Sequence, residues 1–334
     1  MREIRILVPT GHLGYAPFSE ESFWRGVDEE PDVIIADSGS SDIGPQALGA
    51  DDHVSPEEWQ RHDLELMFLA SRRLGVPMIV SSASDTGTNR GVNQYVRLIK
   101  EIAERHNLRG FRLAYIYSEV DKEFLMKKLD SGIRIEGLYG RPDLSYEDLR
   151  RTSRVVAVMS VEPIIKALDL EADVIICGRS LDAAPFAAFL LRRGIDEGTA
   201  WLTGKLLECA SFVAEPFMGK ESVIGLVERG RVIVEPMHSA QRATPRSVLA
   251  HLVYERPDPF YERVPGGILD HSRVEIERID ERRVSVSGAT FRRISEYKIG
   301  LEGAARVGER AISLVGIRDP YLISNIDQVL AWSR

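Results

Sequence analysis

The residues best suited to chemistry in this sequence are aspartates, an arginine and glycines gathered in four short polar runs. These are Pro9-Thr10-Gly11-His12-Leu13-Gly14-Tyr15, then Asp37-Ser38-Gly39-Ser40-Ser41-Asp42, then Ser81-Ser82-Ala83-Ser84-Asp85-Thr86-Gly87-Thr88-Asn89, and finally Gly178-Arg179-Ser180-Leu181-Asp182. A carboxylate such as Asp37, Asp85 or Asp182 can move a proton beside a carbonyl. One that ends an apolar run needs a partner or a changed pKa. The Arg179 guanidinium is a planar fork suited to clamping a carboxylate or phosphate. Backbone N–H groups of the Gly11–Gly14 turn and the Ser82–Gly87 run can face developing negative charge. His12 offers an acid or base near neutral pH. The expected catalytic set is Asp37, Asp85, Arg179 and Asp182. The expected ligand-binding set is Gly11, His12, Gly14, Ser38, Ser82, Thr86, Asn89, Gly178 and Glu208.

Each of these residues also has a purely structural use. The Gly11–Gly14 turn lacks the full Gly-x-Gly-x-x-Gly fingerprint and reads equally as a tight turn. Asp37 and Asp85 can bond their own turn backbone. Thr88 or Asn89 can cap a helix starting near Val92. Asp182, expected in the first turn of the helix Leu181–Leu191, can pair with Arg179 while Ser180 caps. Glu208 can pair with Lys205 at i, i+3, and Cys209 reads as core packing. His238, Arg242 and Arg246 read as a solvated loop. The seven histidines form no His-x-His or His-Glu-x-x-His pattern, so no metal is expected. No Gly-x-Ser-x-Gly elbow and no P-loop occur. No cofactor is specified, and the incomplete fingerprint weighs against a nicotinamide or flavin enzyme.

The polar runs need elements to hold them. Apolar runs at Ile4–Val8, Val33–Asp37, Met78–Ser82, Arg112–Tyr117, Val155–Met159 and Val174–Cys177 predict strands buried on both faces of a parallel sheet. Helical spacing predicts helices over Glu57–Leu74 (ended by Gly75), Val92–His106, Val161–Leu170, Leu181–Leu191 and Trp201–Val213. This alternation is that of an α/β fold with a doubly wound, mostly parallel sheet, and the polar runs then share its carboxyl rim. After residue 215 the pattern becomes α+β. Hairpins are expected at Glu221–Val227 with Arg231–Glu235 and at Arg273–Ile279 with Arg282–Ser287. A helix over Pro245–Tyr254, a loop over Glu255–Pro265, strands at Tyr297–Leu301 and Ala311–Val315 and a closing helix over Asp319–Trp332 complete the expectation. Two domains follow, a Rossmann-like one over 1–215 and an α+β one over 216–334 packed against it.

The 334 residues suit one large domain or two of about 150. A hydrophobic fraction of 44% with 28% charged residues excludes disorder and collagen. The net charge of -8 argues against a general grip on nucleic acid, which needs a basic face, yet local arginines can still hold an anion. No apolar run approaches the roughly 18 residues of a membrane span. No apolar signal core follows Met1, and the two cysteines, Cys177 and Cys209, make no disulfide framework, so a cytoplasmic protein is expected.

Several segments together resemble a known family. They are Glu162-Pro163-Ile164-Ile165-Lys166-Ala167-Leu168, Ala172 through Asp182, and Gly204-Lys205-Leu206-Leu207-Glu208-Cys209-Ala210. Thr244-Pro245, Leu252-Val253-Tyr254-Glu255, Asp258-Pro259, Val284 through Ala289 and Tyr297-Lys298-Ile299-Gly300 continue the pattern. The chain resembles the acyclic terpene utilization AtuA family over most of its length, most closely from about 160 to 300. His238 through Ala243 depart from the family's glycine-rich turn. Many members carry a second, ferredoxin-like domain, fused or separate. The resemblance implies that this is a short form lacking it, with a small separate protein as partner.

The expected function is an enzyme acting on a small carboxylate or acyl thioester, a hydratase, lyase or isomerase using carboxylate acid–base chemistry. The alternative is a non-catalytic subunit that binds the ferredoxin-fold partner. A homo-oligomer is expected because cytosolic enzymes are commonly symmetric.

Overall fold

The structure is a computed structural model and describes residues 2–39, 44–50, 52–254 and 257–333. Ser40, Ser41 and Asp42 of the second polar run lie outside the described residues.

Strands β1 (Ile4–Val8), β2 (Val33–Asp37) and β3 (Met78–Ser81) are short Val/Ile-rich runs that pair in parallel. They are followed by β4 (Leu113–Ile116), β5 (Arg154–Val158) and β6 (Val174–Cys177). β6 inserts between β3 and β4, parallel to both, so the parallel order is β1-β2-β3-β6-β4. Successive strand side chains point to opposite faces, and each face is buried separately. Leu7, Ile34, Ala36, Val80 and Ile176 pack with Phe23, Leu64, Phe68, Tyr95 and Ile99 from the helices Glu20–Asp28, Glu57–Leu74 and Asn89–Arg105. Ile6, Val8, Ile35, Ile79 and Ile175 pack with Ile164, Phe186 and Leu206 from the helices Glu162–Asp169, Ala184–Arg192 and Glu197–Leu207. The doubly wound α/β expectation is therefore met.

The second half supplies β7 (Ala214–Glu215), β8 (Val223–Glu228), β9 (Arg231–Pro236), β10 (Arg242–Ala243), β11 (Tyr261–Val264) and β12 (Gly267–Asp270). β13 (Glu275–Arg278), β14 (Val284–Ser287), β15 (Thr290–Arg293) and β16 (Gly300–Ala304) follow. The β8–β9 hairpin turns at Gly230, whose φ of 85° suits glycine. β8 pairs antiparallel with the free edge of β1, and β9, β14 and β13 extend the same sheet. Strands from both halves of the sequence thus share one sheet.

Six sequence expectations are corrected. β5 does not join the parallel sheet, because β3 and β4 already occupy both edges of β6; it pairs antiparallel with β16 instead. The strand expected at Tyr297–Leu301 falls at Gly300–Ala304, and part of the expected loop Glu255–Pro265 forms β11. Ala311–Val315 forms no strand, since no described strand pairs with it. The closing helix is two, Pro320–Ser324 and Ile326–Ser333. The helix expected over Trp201–Val213 spans Glu197–Leu207, with a separate 3-10 turn at Ala210–Val213.

Candidate functional site

Asp37 is the last residue of β2 and is 3% exposed. Its Oδ1 accepts the Ser81 hydroxyl at 2.7 Å and its Oδ2 accepts the Gly39 N–H at 3.2 Å. Burial, then the nearby Asp182 carboxylate, push its pKa well above the ordinary range, outweighing Arg179 and the two hydrogen bonds. A carboxyl in such a place favours carrying its proton.

Arg179 follows β6, and its guanidinium lies across the ends of β2 and β3. Nη1 donates to the Ser180 carbonyl at 2.7 Å, Asp182 Oδ1 at 2.8 Å, Ser82 Oγ at 3.0 Å and the Gly39 carbonyl at 3.4 Å. Nε and Nη2 face both oxygens of Glu302 on β16, at 2.9 and 3.1 Å. The fork expected to clamp an anion is engaged here by the protein's own carboxylates. Asp182 makes the pair with Arg179 that the spacing allows. It stands ahead of the helix rather than in its first turn, because that helix begins at Ala184 with Pro185 in its first turn. Ser180 caps nothing; its hydroxyl donates to the Gly178 carbonyl at 3.0 Å.

Close backbone approach makes this cluster possible. A Cβ on Gly87 would stand 2.2 Å from the Arg179 nitrogen, and Gly87 has φ 64°. A Cβ on Gly178 would stand 2.4 Å from Ser118 Oγ, which accepts the Arg179 N–H at 2.7 Å.

Asp85 belongs to a neighbouring arrangement. Its Oδ2 accepts the N–H groups of Val54 and Ser55 at 2.7 and 2.8 Å, and Oδ1 accepts the Ser55 hydroxyl at 2.6 Å. His12 Nε2 lies 3.4 Å from the same Oδ1. Burial raises the Asp85 pKa, but these donors together outweigh it and hold the carboxyl below its ordinary value. It staples the segment around Val54 and Ser55 to the rim. The Gly11–Gly14 turn is held by Asp63, which accepts the N–H of Gly14 at 3.0 Å and of Phe18 at 3.2 Å.

From the opposite side comes the end of helix Glu197–Leu207. Lys205 pairs with Glu208, both buried. Cys209 lies against Gly11, where a Cβ would meet the Cys209 Cα at 3.2 Å. Burial, then Glu208, Asp182 and Asp37, push the Cys209 thiol pKa far up, which makes it a poor nucleophile. Burial pushes the Cys177 thiol up to about 12.

The structure thus gathers Asp37, Ser82, Gly178, Arg179 and Asp182 at one rim, with His12 and Asp85 beside them and Gly11 and Glu208 closing from the second side. It does not gather the others. Ser38 turns inward to the Leu13 carbonyl and the Tyr95 hydroxyl. Gly14 is spent on Asp63. Thr86 bonds Thr88, whose hydroxyl caps the helix Asn89–Arg105, and the Asn89 N–H donates to Glu119 at 2.7 Å. Sequence reasoning missed Ser81, Ser55, Asp63 and Glu302, while the Lys205–Glu208 pair that the i, i+3 spacing offers is present. Asp63 had a signal, an aspartate on the apolar face of a helix beside Leu64 and Met67. Glu302 had none, being 123 residues from its partner.

Among the described residues, no three His, Cys, Asp or Glu side chains converge as a metal set, and no helix is long and apolar enough to cross a membrane. No curated protein and no solved structure was found to match the chain. The family described as acyclic terpene utilisation family protein AtuA matches residues 4–318. That span carries both sides of the rim, from Asp37 to Glu302, and nearly the whole length, so the chain belongs to the AtuA family.

Proposed function

We propose that the protein is an acid–base enzyme acting on a small carboxylate or acyl thioester by hydration, dehydration or isomerisation. The observation that carries this reading is that buried Asp37, disposed to hold its proton, shares one rim with a second carboxylate, Asp182: Asp37 accepts the Gly39 N–H, and Arg179 Nη1 reaches both the Gly39 carbonyl and Asp182 Oδ1. Two carboxyl groups set apart by their surroundings are what proton transfer on both sides of a carbonyl compound requires. In a dehydration, the Asp182 carboxylate takes the proton α to the carbonyl and protonated Asp37 gives its proton to the departing hydroxyl. Hydration runs the same transfers in reverse. Arg179 is then a positioning residue that fixes Asp182, and the N–H groups of the Gly11–Gly14 and Ser82–Gly87 segments remain the proposed donors to the developing oxyanion.

The test needs no knowledge of the full reaction. Small carboxylates and their coenzyme A esters are incubated with the protein in D2O, and loss of α-proton signal is followed by NMR. Exchange is expected, and Asp37→Asn is expected to slow it by about 10²–10⁴-fold. Absence of exchange across the panel, or equal rates in the variant, overturns the reading.

A second reading is a subunit that docks a small ferredoxin-fold partner. It draws on the last thirty or so residues, where Ile312, Leu314 and Trp332 are 88%, 101% and 89% exposed. Co-purification with such a partner, and exchange only in the mixture, would favour it.

A further inference from the structure

Lys205 is the feature that the acid–base reading leaves unexplained. It is 2% exposed, on the last turn of helix Glu197–Leu207. An ammonium carries three N–H donors. Among the described residues only one of them has an acceptor, the Glu208 carboxylate three residues on. A buried cation with unused donors is costly unless something else receives them. The backbone around it is fixed: the Lys205 carbonyl accepts from His251 Nε2 at 2.9 Å. The end of this helix packs against the rim: a Cβ on Gly204, beside Lys205, would stand 2.5 Å from the carbonyl oxygen of Ala183, beside Asp182, and Cys209, one turn past Lys205, lies against Gly11. Lys205 therefore stands on the helix end that packs against the segment carrying Asp182.

The other cation of the cluster differs. All three guanidinium nitrogens of Arg179 are occupied by Glu302, Asp182, Ser82 and backbone carbonyls. The more open members of the group are His12, Asp182, Glu302 and Cys209, with side-chain exposures of 17%, 27% and 30% for the first three.

We propose that Lys205, rather than Arg179, grips the anionic oxygen of the ligand, its carboxylate or the enolate oxygen formed when the α proton leaves. This rests on the acid–base reading and adds the group that neutralises the charge. Glu208 holds the ammonium in place before the ligand arrives and competes with the ligand for it. No bond to Lys205 is made or broken; the ligand oxygen accepts hydrogen bonds from the unused N–H groups.

The test is binding of malonate, succinate and oxalate to the full chain, by calorimetry and by thermal shift. At least one is expected to bind. Lys205→Met, which keeps the length of the side chain without its charge, is expected to weaken the tightest of the three by about tenfold or more. Glu208→Gln removes the competitor and is expected to tighten it severalfold. A merely structural Lys205–Glu208 pair predicts otherwise: both variants lose stability, and neither changes affinity for folded protein. If Lys205→Met does not fold, the sign of the Glu208→Gln effect decides alone. Unchanged or weaker binding in Glu208→Gln, binding in Lys205→Met within about twofold of the parent, or no binding of any of the three overturns the proposal. Asp37→Asn separates the two readings. If it abolishes α-proton exchange while Lys205→Met leaves binding intact, the acid–base reading stands and the Lys205 assignment falls. If Lys205→Met abolishes binding but no exchange is found with any panel compound, the grip stands and the acid–base reading falls.

Discussion

Arg179 and Glu302 meet side-on, Nε to Oε2 at 2.9 Å and Nη2 to Oε1 at 3.1 Å, although 123 residues separate them. The contact ties β16 near the end of the chain to the carboxyl end of β6. It also turns the Arg179 fork so that Nη1 reaches Asp182 and the Gly39 carbonyl.

Removing that cation leaves Asp182, Glu302 and the buried Asp37 without it. Arg179→Ala is expected to cost about 3–5 kcal/mol, the range for breaking one side of a buried ion pair. Arg179→Lys is expected to recover little, because an ammonium cannot face both Glu302 oxygens side-on. Urea unfolding of the three proteins measures this. A loss below about 1 kcal/mol, the value of an exposed pair, would show that the cluster does not depend on Arg179.

Asp37 is expected to make the protein less stable as pH rises. Its pKa in the folded protein lies above the ordinary 3.8, so the unfolded chain ionises first. Stability is then full below 3.8 and falls as pH climbs from there through the folded value. Asp37→Asn removes this dependence, and the variant should gain on the parent as pH rises across that window. Melting temperatures of both proteins over a pH series check it; a difference independent of pH would contradict the assignment.

Asp85 should act in the opposite sense. Its pKa in the folded protein lies below 3.8, so its contribution is complete above 3.8 and is lost as pH falls through the folded value. Asp85→Asn turns an amide toward the N–H groups of Val54 and Ser55 and is expected to cost about 2–3 kcal/mol at neutral pH. The deficit should shrink in acid, where the parent carboxyl is protonated as well. Chemical unfolding at neutral and acidic pH distinguishes this from a deficit that stays constant.

The local sequence was enough for much of this molecule. β1, β2 and β6 and the helix Glu57–Leu74 fall where Val/Ile runs and helical spacing place them, because a strand covered on both faces and a long amphipathic helix write their burial into neighbouring residues. The polar runs at the strand ends were legible for the same reason, and parallel pairing brings Asp37, Ser82 and Arg179 to one rim. Only the tertiary structure decided what those residues touch. With both edges of β6 taken by β3 and β4, β5 paired with β16, and that pairing delivered Glu302 to Arg179. Burial separated two aspartates that look alike in sequence: Asp37 received two donors and a neighbouring carboxylate, Asp85 several donors and a histidine. Charge state and partner choice depend on distances between groups far apart along the chain, and spacing in sequence carries no information about those.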